Sequence, residues 1–215
     1  MNSPKENKPR LTQDLFLGGK VILWQSIDGY RAGIDAVLLA TSTKPKTNQK
    51  ILDLGCGAGA VSLCVLANYP DVFVTGLEIM EETVALAKLN AEENNFKVNF
   101  CPILGSIADI PSKIKKNSFD LVLSNPPFSP SGTSNFSSNI QKKFAHVETG
   151  TNIEMWIKVA ATALKQKGTI SLIHRADRLD HLLSALRPYF GEIIIHPLWP
   201  KSGRKANRIL IKAKK

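Results

Sequence analysis

Ile51-Leu52-Asp53-Leu54-Gly55-Cys56-Gly57-Ala58-Gly59 is the stretch of this 215-residue chain that decides its fold. Its apolar first half predicts a buried strand, and three glycines follow where the chain would turn into a helix. Glycine allows positive φ and lets a ligand approach the backbone without a Cβ in the way. Together with the next residue, Gly55–Ala60 also fits the G-x-G-x-x-A pattern of dinucleotide binding. By itself the stretch therefore predicts a ligand-binding turn, with an ordinary tight turn as the alternative.

Apolar runs rich in β-branched residues alternate with segments of helical periodicity along the rest of the chain. This alternation predicts an α/β fold: a Rossmann-like sheet of seven strands, with helices on both faces. Proline and glycine leave no room for a helix between the last two strands, so six strands are predicted parallel and the last antiparallel. The predicted strands are Lys50–Leu54, Val72–Leu77, Lys97–Pro102, Phe119–Ser124, Thr169–His174, Ile193–Leu198 and Asn207–Lys212, and the predicted helices include Glu81–Asn94, Ile153–Leu164 and Leu179–Leu186.

The residues ahead of the first strand are too few for a domain of their own. Gly19–Trp24 with an Asp28-Gly29 turn predicts a small hairpin, and Ile34–Thr41 predicts a short helix. We therefore expect one domain over residues 1–215, with 1–49 as an appendage on a core of 50–215. Segment 129–152, rich in Ser, Asn, Thr and Gly, is expected to be either a lid or disordered.

Charge is distributed unevenly along the chain. The formal net charge is +10, and residues 138–215 hold fifteen basic and five acidic side chains, whereas 51–137 hold five and nine. Lys and Arg neutralise phosphates and release counterions, so basic flanks around a slightly acidic centre predict a nucleic-acid partner. The alternative is a basic surface that serves solubility.

Other classes are disfavoured by what the sequence lacks. No apolar run reaches the roughly 18 residues that a membrane span needs, and the polar start Met1–Arg10 does not look like a secretory signal, so a cytoplasmic protein without membrane contact is expected. Cys56, Cys64 and Cys101 form no CxxC pair and the histidines show no ligand spacing, which predicts reduced thiols and no metal. The oligomeric state stays open, with a monomer favoured.

A second motif, Asn125-Pro126-Pro127-Phe128, follows the fourth predicted strand. Ligands of open α/β sheets bind at the carboxyl ends of strands, so it should face the same pocket as the glycines. The Asn125 side chain and the Pro126 carbonyl can accept the two hydrogens of an exocyclic amine and stabilise positive charge that grows on its nitrogen. Phe128 offers a flat face for a flipped-out base. An ordinary Asn-Pro turn is the alternative.

Glu78, at the end of the second predicted strand, lies 19 residues beyond Gly59 and can accept both hydroxyls of a ribose. Nicotinamide and S-adenosylmethionine folds both use such a carboxylate. Asp53 ahead of Gly55, Gly57 and Gly59, together with the antiparallel last strand, favours the second. The arrangement resembles motif one of the class I S-adenosylmethionine-dependent methyltransferases, which implies S-adenosylmethionine as the cofactor.

The Asn-Pro-Pro-Phe motif resembles that of the methyltransferases that modify amino groups of adenine, guanine or glutamine. Asp14–Gly19 and Gly29–Ala40 are similar to the start of the bacterial tRNA(Val) adenine-N6 methyltransferase family, which methylates the adenine beside the anticodon. This resemblance covers the chain beyond about residue 11. It implies a wall over the methionine end of the cofactor and the mouth of the base pocket, formed by Gln25, Tyr30, Arg31 and Asp35. The alternative for these residues is a capped helix with a stabilising Arg–Asp pair.

One position departs from the pattern of many relatives, which carry an acidic residue soon after a glycine that follows the third strand. Here Gly105 is followed by Ser106, so either Asp109 or Ser106 is expected to accept the adenine amine of the cofactor.

The C-terminal segment Lys201–Lys215 holds seven basic residues and no acidic one. Preceded by Trp199, it predicts an RNA-binding rim. A charged edge strand that resists aggregation explains part of the same pattern. The residues expected to contact RNA are Lys142, Lys143, Lys201, Arg204, Lys205 and Arg208.

The sequence therefore predicts a methyltransferase acting on the exocyclic amine of adenine in RNA, with tRNA as the expected RNA. Guanine-N2 methylation of ribosomal RNA is the main alternative. Release-factor glutamine methylation is disfavoured because residues 1–49 cannot match the helical domain of that family. A nicotinamide-dependent oxidoreductase is disfavoured by Asn125–Phe128, and an RNA-binding module without catalysis would have an empty cofactor pocket.

Overall fold

The computed structural model describes residues 10–28, 31–127 and 152–215. Within these ranges the chain forms nine strands and five helices. The strands are β1 (Leu11–Phe16), β2 (Val21–Ser26), β3 (Lys50–Leu54), β4 (Phe73–Glu78), β5 (Phe100–Leu104), β6 (Phe119–Ser124), β7 (Leu164–Arg175), β8 (Gly191–Leu198) and β9 (Arg208–Lys214). The helices are α1 (Ile34–Thr41), α2 (Ala60–Asn68), α3 (Glu81–Glu93), α4 (Ile153–Ala163) and α5 (Leu179–Leu186).

Seven of these strands form one sheet in the order β5-β4-β3-β6-β7-β9-β8. The pairs among β3 to β7 are parallel, whereas β9 runs antiparallel to both β7 and β8. This confirms the prediction of six parallel strands and an antiparallel last strand. Because β9 pairs on both sides, β8 rather than β9 forms this edge of the sheet. The edge-strand explanation of the basic C-terminal segment is therefore wrong for β9.

The sheet is covered on both faces because its strands alternate their side chains between two apolar clusters. Ile51 packs into the cluster that contains buried residues of α1, α2 and α3. Leu52 and Leu54 pack into the opposite cluster, with buried residues of α4 and α5. All three leucine and isoleucine side chains are fully buried, and each burial contributes about 1.5–3 kcal/mol.

The N-terminal hairpin exists, but the prediction places its turn at the wrong end. β1 pairs antiparallel with β2, with Phe16 opposite Val21, so the chain reverses at Leu17–Gly19 and not at Asp28-Gly29. Leu17, Gly18 and Gly19 all have positive φ, which two adjacent glycines make accessible. Gly29 lies outside the described residues.

The third core strand begins later than its residues suggest. Lys97–Asn99, predicted as strand, forms a turn closed by hydrogen bonds from the Asn99 and Phe100 N–H groups to the Phe96 carbonyl. Val98 is 87% exposed there, so its β-branched side chain signals no burial. The other predicted core strands share most of their residues with those observed, although β7 starts at Leu164, earlier than predicted.

Two further expectations concern membranes and metals. No helix in the described ranges is long and apolar enough to cross a bilayer. Among the same residues, no three His, Cys, Asp or Glu side chains gather as a metal ion would require. Cys56 and Cys64 are buried and Cys101 is exposed, and all three are free thiols.

Candidate active site

The glycine turn leaves β3 at the carboxyl edge of the sheet and is held against the neighbouring strand. The N–H groups of Gly55 and Cys56 both donate to the Leu77 carbonyl of β4, at 2.9 and 3.0 Å. Gly55, Gly57 and Gly59 have φ of +71°, +55° and +92°. A side chain would strain all three positions, which is why the sequence needs glycine there.

Only one of the three glycines faces open space. A methyl group added at Gly55 would lie 2.6 Å from the Trp156 ring of α4, and one at Gly59 would lie 2.7 Å from the Phe100 ring of β5. A methyl group at Gly57 would meet no described atom within 4 Å. The outer two glycines therefore serve packing, and Gly57 is where a ligand can approach the backbone.

Glu78 ends β4 directly beside this turn. Its Oε2 accepts the Gly57 N–H at 3.0 Å, and its Oε1 accepts the N–H groups of Ile79 and Met80 at 2.9 and 3.0 Å. A carboxylate has about four acceptor sites, so one on Oε2 remains for a ribose hydroxyl. Burial raises the pKa of Glu78, against the three N–H groups that lower it. The carboxylate thus holds the turn in addition to its predicted role toward ribose.

Asp53 is placed on the α2 face of β3 and is 1% exposed. Its Oδ2 accepts the Ser62 hydroxyl of α2 at 2.7 Å. Burial raises the pKa of Asp53 to about 7; the hydrogen bonds with Ser62 lower it, and the Glu78 charge raises it further. Predicted as a cofactor contact, Asp53 thus joins the strand below the turn to the helix that follows it.

The second motif lies beside the first. β3 and β6 are parallel neighbours whose register pairs Leu54 with Ser124, and the Ser124 hydroxyl donates to the Leu54 carbonyl at 3.1 Å. The next residues, Gly55 and Asn125, therefore leave neighbouring strands, whose axes lie about 4.8 Å apart. Asn125 is half-buried, Pro126 is buried and Pro127 is exposed, whereas Phe128 lies outside the described residues.

The loop after β5 carries the two expected partners of the cofactor adenine. Gly105 leads into a turn in which Ser106 Oγ accepts the Ala108 N–H at 3.1 Å and the Ser106 carbonyl accepts the Asp109 N–H at 3.2 Å. Ser106 is half-buried, and Asp109 is exposed at the surface of this turn. The Ser106 hydroxyl shapes the loop, which leaves Asp109 as the more accessible acceptor.

A polar network forms at the N-terminal hairpin instead of the Arg31–Asp35 pair that was the alternative for these residues. Arg31 contacts Asp14 at 2.5 Å. The buried Gln25 donates to the same Asp14 carboxylate at 2.8 Å and accepts the Ala32 N–H at 2.7 Å. The network therefore ties β1 and β2 to the segment that leads into α1. Tyr30 lies outside the described residues.

Asp35 pairs across the fold with Arg208, the first residue of β9, at 2.9 Å. The pair is largely buried, with side chains 17% and 31% exposed, so Arg208 is held against α1, and its predicted contact with RNA stays a prediction. Lys201, Arg204 and Lys205 lie exposed in the loop between β8 and β9. Lys142 and Lys143 lie outside the described residues.

Sequence reasoning missed the side chain that joins the hairpin to the glycine turn. Asn90 of α3 is fully buried; its Oδ1 accepts the Trp24 N–H at 2.8 Å, and its Nδ2 donates to the carbonyls of Trp24 and Ala58 at 3.0 and 2.9 Å. One turn later, Asn94 binds the N–H and carbonyl of Ile22 in the same way. A polar residue among the buried positions of α3 was the available signal.

Comparison with known proteins agrees with this geometry. The family model of the methyltransferase small domain matches residues 31–194. The tRNA1(Val) (adenine(37)-N6)-methyltransferase of Porphyromonas gingivalis strain W83 is 32% identical over 175 residues, 79% of this chain and 68% of that protein. The ribosomal RNA small subunit methyltransferase C of Psychromonas ingrahamii is 29% identical over 136 residues, 63% of this chain and 33% of that protein.

Among solved structures, one described as a predicted O-methyltransferase from Agrobacterium tumefaciens superimposes with a TM-score of 0.69. It is 26% identical and covers 84% of this chain and 80% of its own. Family match and relatives together confirm the resemblance to which the glycine turn and the N-terminal segment point. The chain belongs to the methyltransferase small domain family and is a methyltransferase that depends on S-adenosylmethionine.

Proposed function

We propose that the protein transfers a methyl group from S-adenosylmethionine to the exocyclic amine of an adenine in RNA, and that the RNA is a tRNA. The observation that carries the proposal is the β3–β6 register. It sets Asn125, whose chemistry suits an amine, one strand spacing from the glycine turn, whose shape suits the cofactor. We further propose that residues 1–215 act as a single cytoplasmic domain.

The described residues fit the cofactor. Gly57 leaves open space above its backbone, and Glu78 keeps an acceptor site for a ribose hydroxyl. Asp109 is the proposed acceptor for the adenine amine, with Ser106 shaping its loop, and Arg31 and Asp35 sit in the segment proposed to border the methionine end. When bound, S-adenosylmethionine supplies an electrophilic methyl group on its sulfonium sulfur.

Asn125 and Pro126 activate the adenine amine that receives the methyl group. The adenine amine is a poor nucleophile because its lone pair is delocalised into the ring. A side-chain carbonyl and a backbone carbonyl that hold its two hydrogens draw the nitrogen toward tetrahedral geometry and stabilise its growing positive charge. As the C–N bond forms, the C–S bond breaks and its electron pair stays on sulfur. The methylated nitrogen then releases a proton to water, so no general base is required.

Pro126 and Pro127 keep the two hydrogen-bond acceptors, the Asn125 side-chain carbonyl and the Pro126 backbone carbonyl, rigid. Proline fixes φ near −65° and has no N–H that would compete for the amine's acceptors. We propose that Phe128 stacks on the flipped-out base and that Lys142 and Lys143 contact the RNA, as the sequence predicts. In the described part, the exposed cations Lys201, Arg204 and Lys205 are the proposed phosphate contacts.

Nucleoside mass spectrometry tests the proposal. An unmodified tRNA(Val) transcript is incubated with the protein and isotope-labelled S-adenosylmethionine, digested, and analysed. Labelled N6-methyladenosine is expected, and a transcript with guanosine in place of the adenosine 37 that the relative's name specifies should lose the label. The Asn125→Ala variant is the catalytic control, because it should bind the cofactor but transfer little.

Two results would redirect the assignment. Labelled N2-methylguanosine from ribosomal RNA, with no label in tRNA, would favour guanine-N2 methylation, the main alternative that the sequence leaves open. Binding of NAD in preference to S-adenosylmethionine in isothermal titration would overturn the assignment of the cofactor.

Replacing Lys201, Arg204 and Lys205 by Ala tests the proposed phosphate contacts. The slope of log affinity against log salt should fall by about 0.7–0.9 for each phosphate that the protein no longer neutralises.

A further inference from the structure

We infer that Trp199 is a stacking platform for a nucleobase that flanks the target adenine in the same RNA segment. The inference rests on the proposed RNA methyltransferase function and adds a second base-binding position to it. Trp199 is the first residue after β8, and its side chain is 63% exposed, although tryptophan is one of the most buried residue types on average.

Backbone hydrogen bonds close the base of the β8–β9 loop, which carries the Trp199 ring. The Asn207 N–H donates to the Leu198 carbonyl at 3.3 Å, and the Arg204 N–H donates to the Lys201 carbonyl at the same distance. Gly203 reverses the chain with φ of +72°. Pro200 also biases the backbone of Trp199 toward extended conformations. The backbone that carries the ring is therefore ordered before RNA binds, and stacking has to fix only the two side-chain torsions of Trp199.

The charge around Trp199 selects the partner. Lys201, Arg204 and Lys205 are exposed and have no ion-pair partner among the described residues, whereas Arg208 and Lys214 of β9 are paired with Asp35 and Glu192. Uncompensated cations are thus concentrated in the loop that carries the exposed ring. Protein interfaces are depleted of charge at their centre, while single-stranded nucleic acid is bound by aromatic faces beside a positive groove. The combination favours a nucleotide.

Sheet topology places the ring near the active site but not in it. β8 and β7 are both antiparallel to β9, so β8 ends at the same edge as β6. From β6 to β8 there are three strand spacings, or about 14 Å across the sheet. In the register, Leu198 at the end of β8 lies three residues, or about 10 Å, beyond the level of Ser124 at the end of β6, so the two strand ends are about 17 Å apart. Stacked nucleotides advance about 3.4 Å each along one strand, so this distance spans about five of them, and fewer where the strand is unstacked. Trp199 therefore meets a neighbour of the target base.

Binding of an unmodified tRNA(Val) transcript tests the inference, with filter binding at several salt concentrations. Trp199→Ala should weaken RNA affinity by about tenfold or more, Trp199→Leu should do the same, and Trp199→Phe should stay within a few-fold of wild type. The salt slope should be unchanged in all three. Lys205→Ala is the matched control, because it should reduce the slope.

Abasic transcripts locate the contact. A single abasic nucleotide, moved through the five positions on each side of the target, should at one position weaken wild-type binding and leave Trp199→Ala binding unaffected. In methyl transfer, Trp199→Ala should raise the KM for RNA and keep kcat, because the ring does not touch the reacting base. Thermal unfolding should not change, since the side chain is exposed.

The failures are distinguishable. Normal RNA affinity in Trp199→Ala, or an equal loss with every abasic transcript, would overturn the stacking role while methyladenosine formation still upheld the proposed function. A wild-type protein that neither binds nor methylates RNA would overturn both.

Discussion

Removing the Asn90 side chain should both destabilise the fold and loosen the cofactor site. Asn90→Ala leaves the Trp24 N–H and the carbonyls of Trp24 and Ala58 without their partner at half-buried positions. Each such group costs about 1–3 kcal/mol when buried, and partial access to water keeps each cost near the lower end, so we expect a loss of about 3–4 kcal/mol for the three. That is a large part of a typical stability of about 5–15 kcal/mol.

The cofactor effect comes from the Ala58 carbonyl alone. It lies in the glycine turn, and without its tether about one residue must be ordered on binding, at about 1–2 kcal/mol. Affinity for S-adenosylhomocysteine, the demethylated product, should therefore fall about five- to thirtyfold. Asn94→Ala is the matched control: it also removes hydrogen bonds to β2, at Ile22, but none to the turn, and it is only half-buried. It should cost less stability and leave cofactor affinity unchanged.

Urea unfolding followed by circular dichroism measures the first effect, and isothermal titration at a temperature where both variants are folded measures the second. Asn90→Ser, which keeps a hydroxyl, serves if the alanine variant does not fold. Equal losses of stability in Asn90→Ala and Asn94→Ala, with equal affinity for S-adenosylhomocysteine, would contradict this prediction. The β1–β2 hairpin and the glycine turn would then be independent of each other.

Three further substitutions test the site. Glu78→Ala should weaken S-adenosylhomocysteine binding in isothermal titration by about 1–3 kcal/mol, and an unchanged constant would remove Glu78 from the ribose site. Asn125→Ala should lower methyl transfer about a hundredfold or more with cofactor affinity nearly intact; near-normal turnover in a radiolabel assay would rule out its role. The pKa of Asp53 is about 7 in the fold and near 3.8 unfolded, so the folded protein alone holds this proton between those values, and stability falls as pH rises from about 4 to about 7. Asp53→Asn should abolish that loss, with a gain relative to wild type that grows by a few kcal/mol across the window in urea unfolding. The comparison with wild type is needed because burial lowers the pKa of His174 to about 4, which gives a slope of stability against pH of the opposite sign. A difference in unfolding free energy between variant and wild type that stays constant with pH would contradict the assignment to Asp53.

The strand pattern and the two motifs could be derived from local sequence, because each depends on residues adjacent in the chain. Lys50–Leu54 and Phe119–Ser124 have the predicted bounds, since each is a mainly apolar segment that leads directly into a motif. The prediction of where β5 begins was wrong because Val98 is β-branched yet exposed. Propensity reports a preference for pleated surfaces and not burial itself.

Contacts between residues that are distant in the sequence depend on the tertiary structure and could not be predicted. Charge counting could not show that Arg208 has a partner inside the fold: the insertion of β9 between β7 and β8 brings it to Asp35, 173 positions away in the sequence. Asn90 was not predicted because its three partners lie on β2 and in the glycine turn, far from α3 along the chain. Apolar periodicity determines which face of an element is buried, since burial is non-directional. Hydrogen bonds and ion pairs require particular atoms within about 3 Å, and strand order and register bring those atoms together only after the chain has folded.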